Sequence, residues 1–197
     1  MTPSHYPAFD VLAEREAWDE YTRSIILRRT GPPEALQFLT GPEEASLAAA
    51  LGPLLAEDRA PILAFLTAHF DRRLSSHVGE GQRQGDVPPE ADLVRGGLVA
   101  LDAVAQVRHG RAFADCAAQA RFEMLAALQK GQLEAVPEFQ GVPQQALFQK
   151  LLTLAAEAYA SHPTVWSEMG YAGPAYPRGY YRLGRGVLDP WEARGEG

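Results

Sequence analysis

A single cysteine in 197 residues, Cys116, excludes an intrachain disulfide, a thiolate metal cluster and a Cys-x-x-Cys redox pair. Among the apolar neighbours of residues 114–120 it reads as a small buried hydrophobe rather than a reactive thiol. Basic residues are also few. Eighteen Lys and Arg against 25 Asp and Glu leave a formal net charge of -7, without the basic stripe that would displace counterions from nucleic-acid phosphates. Nucleic acid is therefore not an expected partner. No stretch approaches the roughly 18 apolar residues that a bilayer span requires, and the N-terminus has neither a basic n-region nor an apolar h-region. Arg28-Arg29 runs into Thr-Gly-Pro-Pro instead of a hydrophobic segment, so it reads as solvated charge at a helix end and not as a twin-arginine signal. A soluble, cytoplasmic chain is the expectation for the sequence as written, with a periplasmic or cell-envelope location if the start is truncated or export occurs with a partner. Direct membrane insertion is not expected.

Strand signals are lacking as well. β-Branched residues are sparse and nowhere alternate with polar ones over a useful length. The apolar residues recur instead at helical spacing, and 46% hydrophobic content suffices for one substantial core. Leu12, Trp18, Tyr21, Ile25 and Ile26 predict one helix over 11–29, closed by Gly31-Pro32-Pro33. Thr40 and Glu43 have capping-box spacing ahead of Leu47, Leu51, Leu54 and Leu55, with a kink or break expected at Gly52-Pro53. Asp58 is read as the cap of a third helix with Ile62, Phe65, Leu66, Phe70 and Leu74 on its face. Residues 75–89 turn to Gly, Gln, Ser and charge and read as a connection of about 15 residues.

Val94, Leu98, Leu101 and Val104 predict a helix over 91–107 in which Gly96-Gly97 permits a close helix approach. Asp115 is read as the cap of the next, with Phe122, Leu125 and Leu128 inward and Gly131 as C-cap. Pro143 opens a last helix whose stripe is Leu147, Phe148, Leu151, Leu154, Ala155 and Ala158. The expected fold class is all-α, a single helical bundle of about five to seven helices with an irregular aromatic, Gly- and Pro-rich C-terminal arm. One domain is expected over 1–197, with an N-terminal helix and linker at 1–35, a helical core at 36–165 and the arm at 166–197.

The usual catalytic signatures are missing. There is no G-x-S-x-G elbow, phosphate-binding Gly loop ending in Lys-Ser/Thr, His-Glu-x-x-His or haem-attachment run. Gly184-x-Gly186 lacks the strand and helix that would make it a dinucleotide cradle. A di-metal carboxylate bundle needs Glu-x-x-His pairs, and none occurs. His69 and Asp71 lie two apart and point to different helix faces. The acidic pairs Glu43-Glu44 and Glu57-Asp58 fit helix starts, where the macrodipole favours negative charge. Accordingly, no catalytic, cofactor-binding or metal residue is assigned.

The C-terminal region stands out. Five of the seven tyrosines lie between Tyr159 and Tyr181, with Trp166 among them and Trp191 following. Tyr and Trp combine large apolar area with a polar handle and dominate interface energetics. Two readings stay open: the rings cover the end of the bundle, or they face a partner. Both hold together if Tyr159, His162 and Trp166 anchor the arm while Tyr171, Tyr176, Arg178, Tyr180, Tyr181 and Arg182 form the partner surface, with the arginines stacking on rings or pairing with carboxylates.

Residues 159–182, above all Ser161-His-Pro-Thr-Val-Trp-Ser-Glu-Met-Gly-Tyr-Ala-Gly-Pro-Ala-Tyr-Pro-Arg-Gly-Tyr, resemble the gluconate 2-dehydrogenase subunit 3 family. The resemblance extends more weakly over 36–191. It implies a non-catalytic helical accessory subunit that stabilises, and in some complexes helps mature or export, a flavoprotein dehydrogenase of the glucose-methanol-choline type, often beside a cytochrome subunit. FAD then belongs to the large partner and no cofactor to this chain. Members commonly begin with a twin-arginine signal and carry an acidic-Pro-x-Tyr-Gly-Gly-Asn run. Here that signal is absent and His162-Pro-Thr-Val-Trp-Ser-Glu stands at the start of the run. The alternative from another class is a free-standing helical enzyme or small-ligand binder with a pocket near His69, His162 and Trp166, edged by Glu168.

Overall fold

Seven α-helices and three short 3-10 turns make up the regular structure of the computed structural model, in which residues 4–76, 85–182 and 184–195 are described. No strand occurs among them. The helices are α1 Glu20–Arg28, α2 Gly41–Leu55, α3 Ala60–Ser75, α4 Glu90–His109, α5 Ala118–Lys130, α6 Gln144–Tyr159 and α7 Pro163–Met169. The fold is all-α, as the periodicity predicts. The chain divides into two compact units, one of Pro33–Ala158 and one that joins Met1–Pro32 to Tyr159–Gly197. The N-terminal segment and the C-terminal region thus share one unit.

In the unit of residues 33–158, α2 packs against α3, α4 and α5. Leu47, Leu51, Leu66, Phe70, Leu101 and Leu147 are fully buried there. Each such side chain contributes roughly 1.5–3 kcal/mol relative to exposure, which outweighs the weak helix propensity of Gly96-Gly97 in α4. Those glycines are required by packing. A Cβ on Gly97 would come within 3.0 Å of three carbons of Leu147, and one on Gly96 would meet Val142 at 2.9 Å.

Carboxylates, buried except for the half-buried Asp102, lock the same unit. Asp71 accepts the backbone N–H groups of Gln37, Phe38 and Leu39 at 2.7, 2.9 and 2.8 Å, fixing the chain that leads into α2. Asp102 accepts the Phe113 N–H at 2.8 Å and the Ser46 hydroxyl at 2.9 Å. Glu90 lies 3.0 Å from both Arg73 and Lys150, and Glu43 lies 3.0 Å from Arg95. The capping-box pair forms, with the Thr40 N–H and hydroxyl both donating to Glu43 at 2.7 and 2.9 Å.

Several local expectations are corrected. The helix drawn over 11–29 is two elements, a 3-10 turn at Val11–Ala17 and α1, because the Asp19 carboxylate accepts the Thr22 N–H at 2.7 Å and starts a new helix. Tyr21, placed inward, is 76% exposed on α1. α2 runs through Pro53 and stops at Leu55, two residues later, with Ala56 left-handed at φ 52°. Asp58 does not cap α3, whose N-cap is Arg59 without a side-chain cap; just ahead of the helix the Glu57 carboxylate accepts the Asp58 and Arg59 N–H groups at 3.0 and 2.8 Å. The Arg59 side chain clasps it at 2.6 Å, and this hydrogen bonding brings the Glu57 carboxyl down from 4.5 to about 2.

Asp115 ends a 3-10 turn at Phe113–Asp115, and α5 begins at Ala118 with Ala117 as N-cap. Phe122 is 56% exposed, and Met124 takes the interior place beside Leu125 and Leu128. The Gly131 cap forms as expected, at φ 67°. Cys116 is buried, and burial raises its thiol pKa, as suits an inert apolar side chain. The middle of the connection drawn at 75–89, residues 77–84, lies outside the described residues.

Candidate partner-docking surface

The second unit is built around indoles. Val11, Trp18, Ile26 and Trp166 form its buried cluster, with Phe9 and Leu12 packed against them. The region expected to be irregular from 166 contains α7, which starts three residues earlier. Pro163 fits its first turn, and the buried His162 imidazole accepts the Thr164 N–H at Nδ1, 3.2 Å away, as the N-cap. His-Pro ahead of an apolar pair was the available signal for this helix. After Met169 no helix or strand follows among the described residues.

Hydrogen bonds join the N-terminal segment to this part of the chain. The Ser167 hydroxyl accepts the Val11 N–H at 3.1 Å, and the Ser4 hydroxyl donates to the Glu168 carbonyl at 2.9 Å. Arg29, just past α1, donates to the Ser161 carbonyl at 2.7 Å and places its guanidinium 5.4 Å from the centre of the Trp166 ring. Trp166 Nε1 donates to the Ala160 carbonyl at 2.6 Å, so its polar handle is satisfied inside. Gly173, at φ 79°, lies where a Cβ would meet Trp18 Cζ2 at 2.6 Å. A side chain there would both strain the backbone and displace the indole.

The anchoring candidates occupy interior or partly covered positions. Trp166 and His162 are buried, and Tyr159 is half-buried at the last residue of α6. Of the surface candidates, Tyr171, Tyr176, Tyr180 and Tyr181 are 42%, 68%, 51% and 58% exposed. Tyr171 meets Trp166 edge to face at 5.3 Å, and burial of its inner edge raises its phenol pKa. Tyr181 meets Trp191 in the same manner at 5.3 Å. Arg182 is exposed, lies 5.8 Å from the Tyr181 ring centre and donates to the Leu188 carbonyl at 3.1 Å, while its own N–H reaches the buried Asp189 at 3.2 Å.

Arg178 differs from the other surface candidates. It is half-buried, donates through Nη2 to the Ala172 carbonyl, and sets its guanidinium 5.9 Å from the Trp18 ring centre and 5.0 Å from that of Trp191. Burial lowers its pKa. Two of the four exposed phenols, Tyr171 and Tyr181, thus rest edge to face on indoles. Of the three residues suggested for a small-molecule pocket, His162 is occupied as the α7 cap and Trp166 as a core ring, while His69 belongs to α3 in the other unit, 6.0 Å from Phe65. No group of three or more His, Cys, Asp or Glu suited to a metal ion occurs among the described residues. No helix among them is long and apolar enough to cross a membrane.

Residues 43–173, more than half of the chain, match the family model described as Gluconate 2-dehydrogenase subunit 3. The match includes Tyr159, His162, Trp166 and Tyr171 and ends before Tyr176, Arg178, Tyr180, Tyr181 and Arg182. No curated protein and no solved structure matches the chain.

Proposed function

The chain belongs to the gluconate 2-dehydrogenase subunit 3 family, and from that premise we propose that it is an accessory subunit docking onto the flavoprotein catalytic subunit of a sugar or alcohol dehydrogenase through the surface of Tyr171, Tyr176, Tyr180, Tyr181 and Arg182. Family membership supports an accessory role beside a dehydrogenase. The observation that carries the docking surface is the exposure of four tyrosines within ten residues of one another, two of them, Tyr171 and Tyr181, resting on indoles. Exposed aromatics in such number are uncommon away from interaction sites, and Tyr is enriched among residues that dominate binding energy. In this reading FAD and the redox chemistry reside in the partner, often with a cytochrome subunit beside it, and this chain contributes stability or maturation.

Co-expression with the flavoprotein encoded next to it, followed by purification on a tag carried by this chain, tests the assignment. A co-purifying subunit with flavin absorbance is expected. Recovery of this chain alone from a verified neighbouring pair would overturn it.

A further inference from the structure

Phe122 stands on the solvent side of α5. Met124, Leu125 and Leu128 turn the helix inward, whereas the Phe122 ring is 56% exposed. A lone exposed hydrophobe is ordinary on a protein surface, and its surroundings decide whether it matters. Here two apolar hollows flank it. One is a cleft of about 570 Å³ lined by Ala48, Ala49, Gly52 and Leu63. The other, of about 210 Å³, is lined by Leu54, Ala126, Phe148 and Leu152, from α2, α5 and α6. Phe122 and Pro53 border both. All these residues belong to the unit of residues 33–158.

Polar groups on the lining of the larger cleft are already engaged. Arg59 clasps Glu57 at 2.6 Å, Gln119 donates to Glu123 at 2.8 Å, and Arg121 donates to the Ala114 carbonyl at 3.4 Å. Asp58, also on the lining, is exposed to water. A small-molecule site needs polar groups free to fix the orientation of its ligand. Charge does not select an occupant either, since Glu57 and Asp58 are balanced by Arg59 and Arg121. What the two hollows offer in common is apolar surface, and large apolar side chains entering on either side of Phe122 would bury its ring.

The extent of the family match indicates where such side chains come from. Contacts common to accessory subunits of one family fall within the part of the chain they share, here residues 43–173, and Tyr176, Tyr180 and Tyr181 lie beyond it. Among the described residues of that part, the large hydrophobics left exposed are Val99, Val107, Phe122, Met169 and Tyr171. Of these five, Phe122 alone lines either hollow.

We propose that Phe122 and the hollows on either side of it dock an apolar segment of the catalytic subunit, as a second contact apart in sequence from the tyrosines. This site rests on the accessory role proposed above. Its energetic centre is the Phe122 ring, in the manner of interface anchors that sit beside pockets.

The complex of the full chain with the catalytic subunit is assembled with a photo-crosslinking benzoylphenylalanine at position 122. Irradiation is expected to join the two subunits, with the attachment mapping to an apolar segment of the catalytic subunit. Attachment to a second copy of this chain, or none to the catalytic subunit in an assembled complex, would overturn the site. In parallel, Phe122→Glu is expected to weaken affinity for the catalytic subunit by about tenfold or more. Val107→Glu, at a 69% exposed position of α4 that lines neither hollow, should leave affinity unchanged. Tm should hold within about 2 °C in both.

Equal weakening by the two variants would reduce the effect to surface charge and overturn the site, as would a larger Tm loss in Phe122→Glu. Should Phe122→Glu not fold, Phe122→Ala keeps helix propensity and is expected to weaken binding by about fivefold. If the complex forms and Phe122→Glu or Phe122→Ala binds as tightly as the wild type, the site fails while the accessory role stands. If the wild-type chain forms no complex, the accessory role fails and the site with it.

Discussion

Residues 33–158 and the unit that joins the N-terminal segment to residues 159–195 differ in how many buried side-chain donors lack an acceptor among the described residues: Nε of Arg121 in the first, and four atoms on Trp18, Trp191 and Arg178 in the second. In the first, Asp71, Asp102, Glu43, Glu57 and Glu90 each meet donors within about 3 Å, and the interior between them is mainly leucine. In the second, the interior is mainly indole, and Trp18, Trp191 and Arg178 keep buried donors without described acceptors while four tyrosines stay on the surface. A satisfied interior serves stability. The exposed rings of the second unit are what the proposed docking role draws on. On the proposed function, docking through the tyrosines falls to the second unit.

Substitutions can break the contrast from either side. The largest effect is expected from Leu151→Ala in α6, a fully buried position, at about 3 kcal/mol of unfolding free energy in a denaturant titration. Partner affinity measured on the folded fraction should be unchanged. If affinity falls with stability, the two roles are not separable. Next, Tyr176→Ala, Tyr180→Ala and Tyr181→Ala combined should weaken binding to the catalytic subunit by about 2 kcal/mol or more, while the helical circular dichroism and Tm hold. A melted fold would show that these rings serve the chain's own packing.

Glu57 sharpens the scaffold side. With its carboxyl held at about 2 by Arg59 against an ordinary 4.5, its contribution is fully present above 4.5 and is lost as pH falls towards 2. Glu57→Gln should cost about 2 kcal/mol at neutral pH and flatten that part of the stability–pH curve, as followed by Tm between pH 5 and about 2. The smallest effect belongs to Tyr21→Ala. Although Tyr21 lies on α1, in the same unit as the proposed docking surface, it is 76% exposed and outside the tyrosines proposed for binding. Both stability and affinity should move by less than about 0.5 kcal/mol.

The sequence by itself determined the helical class, most helix positions, the Thr40–Glu43 cap, the Gly131 cap and the close approach at Gly97, because each depends on periodicity or on residues a few positions apart. It also singled out the aromatic stretch. Local choices between competing signals were harder. Asp19 divided a continuous apolar pattern, Glu57 and not Asp58 gathered the N–H groups ahead of α3, and Phe122 yielded the interior to Met124, since neighbouring residues of similar character differ only in what they finally touch. Only the tertiary structure joined Trp18 of the N-terminal segment to Gly173, Arg178 and the rings beyond 159. Burial and the absence of an acceptor are properties of that long-range packing. For this reason Arg178, indistinguishable in sequence from Arg182, became a half-buried charge beside two indoles while Arg182 stayed at the surface.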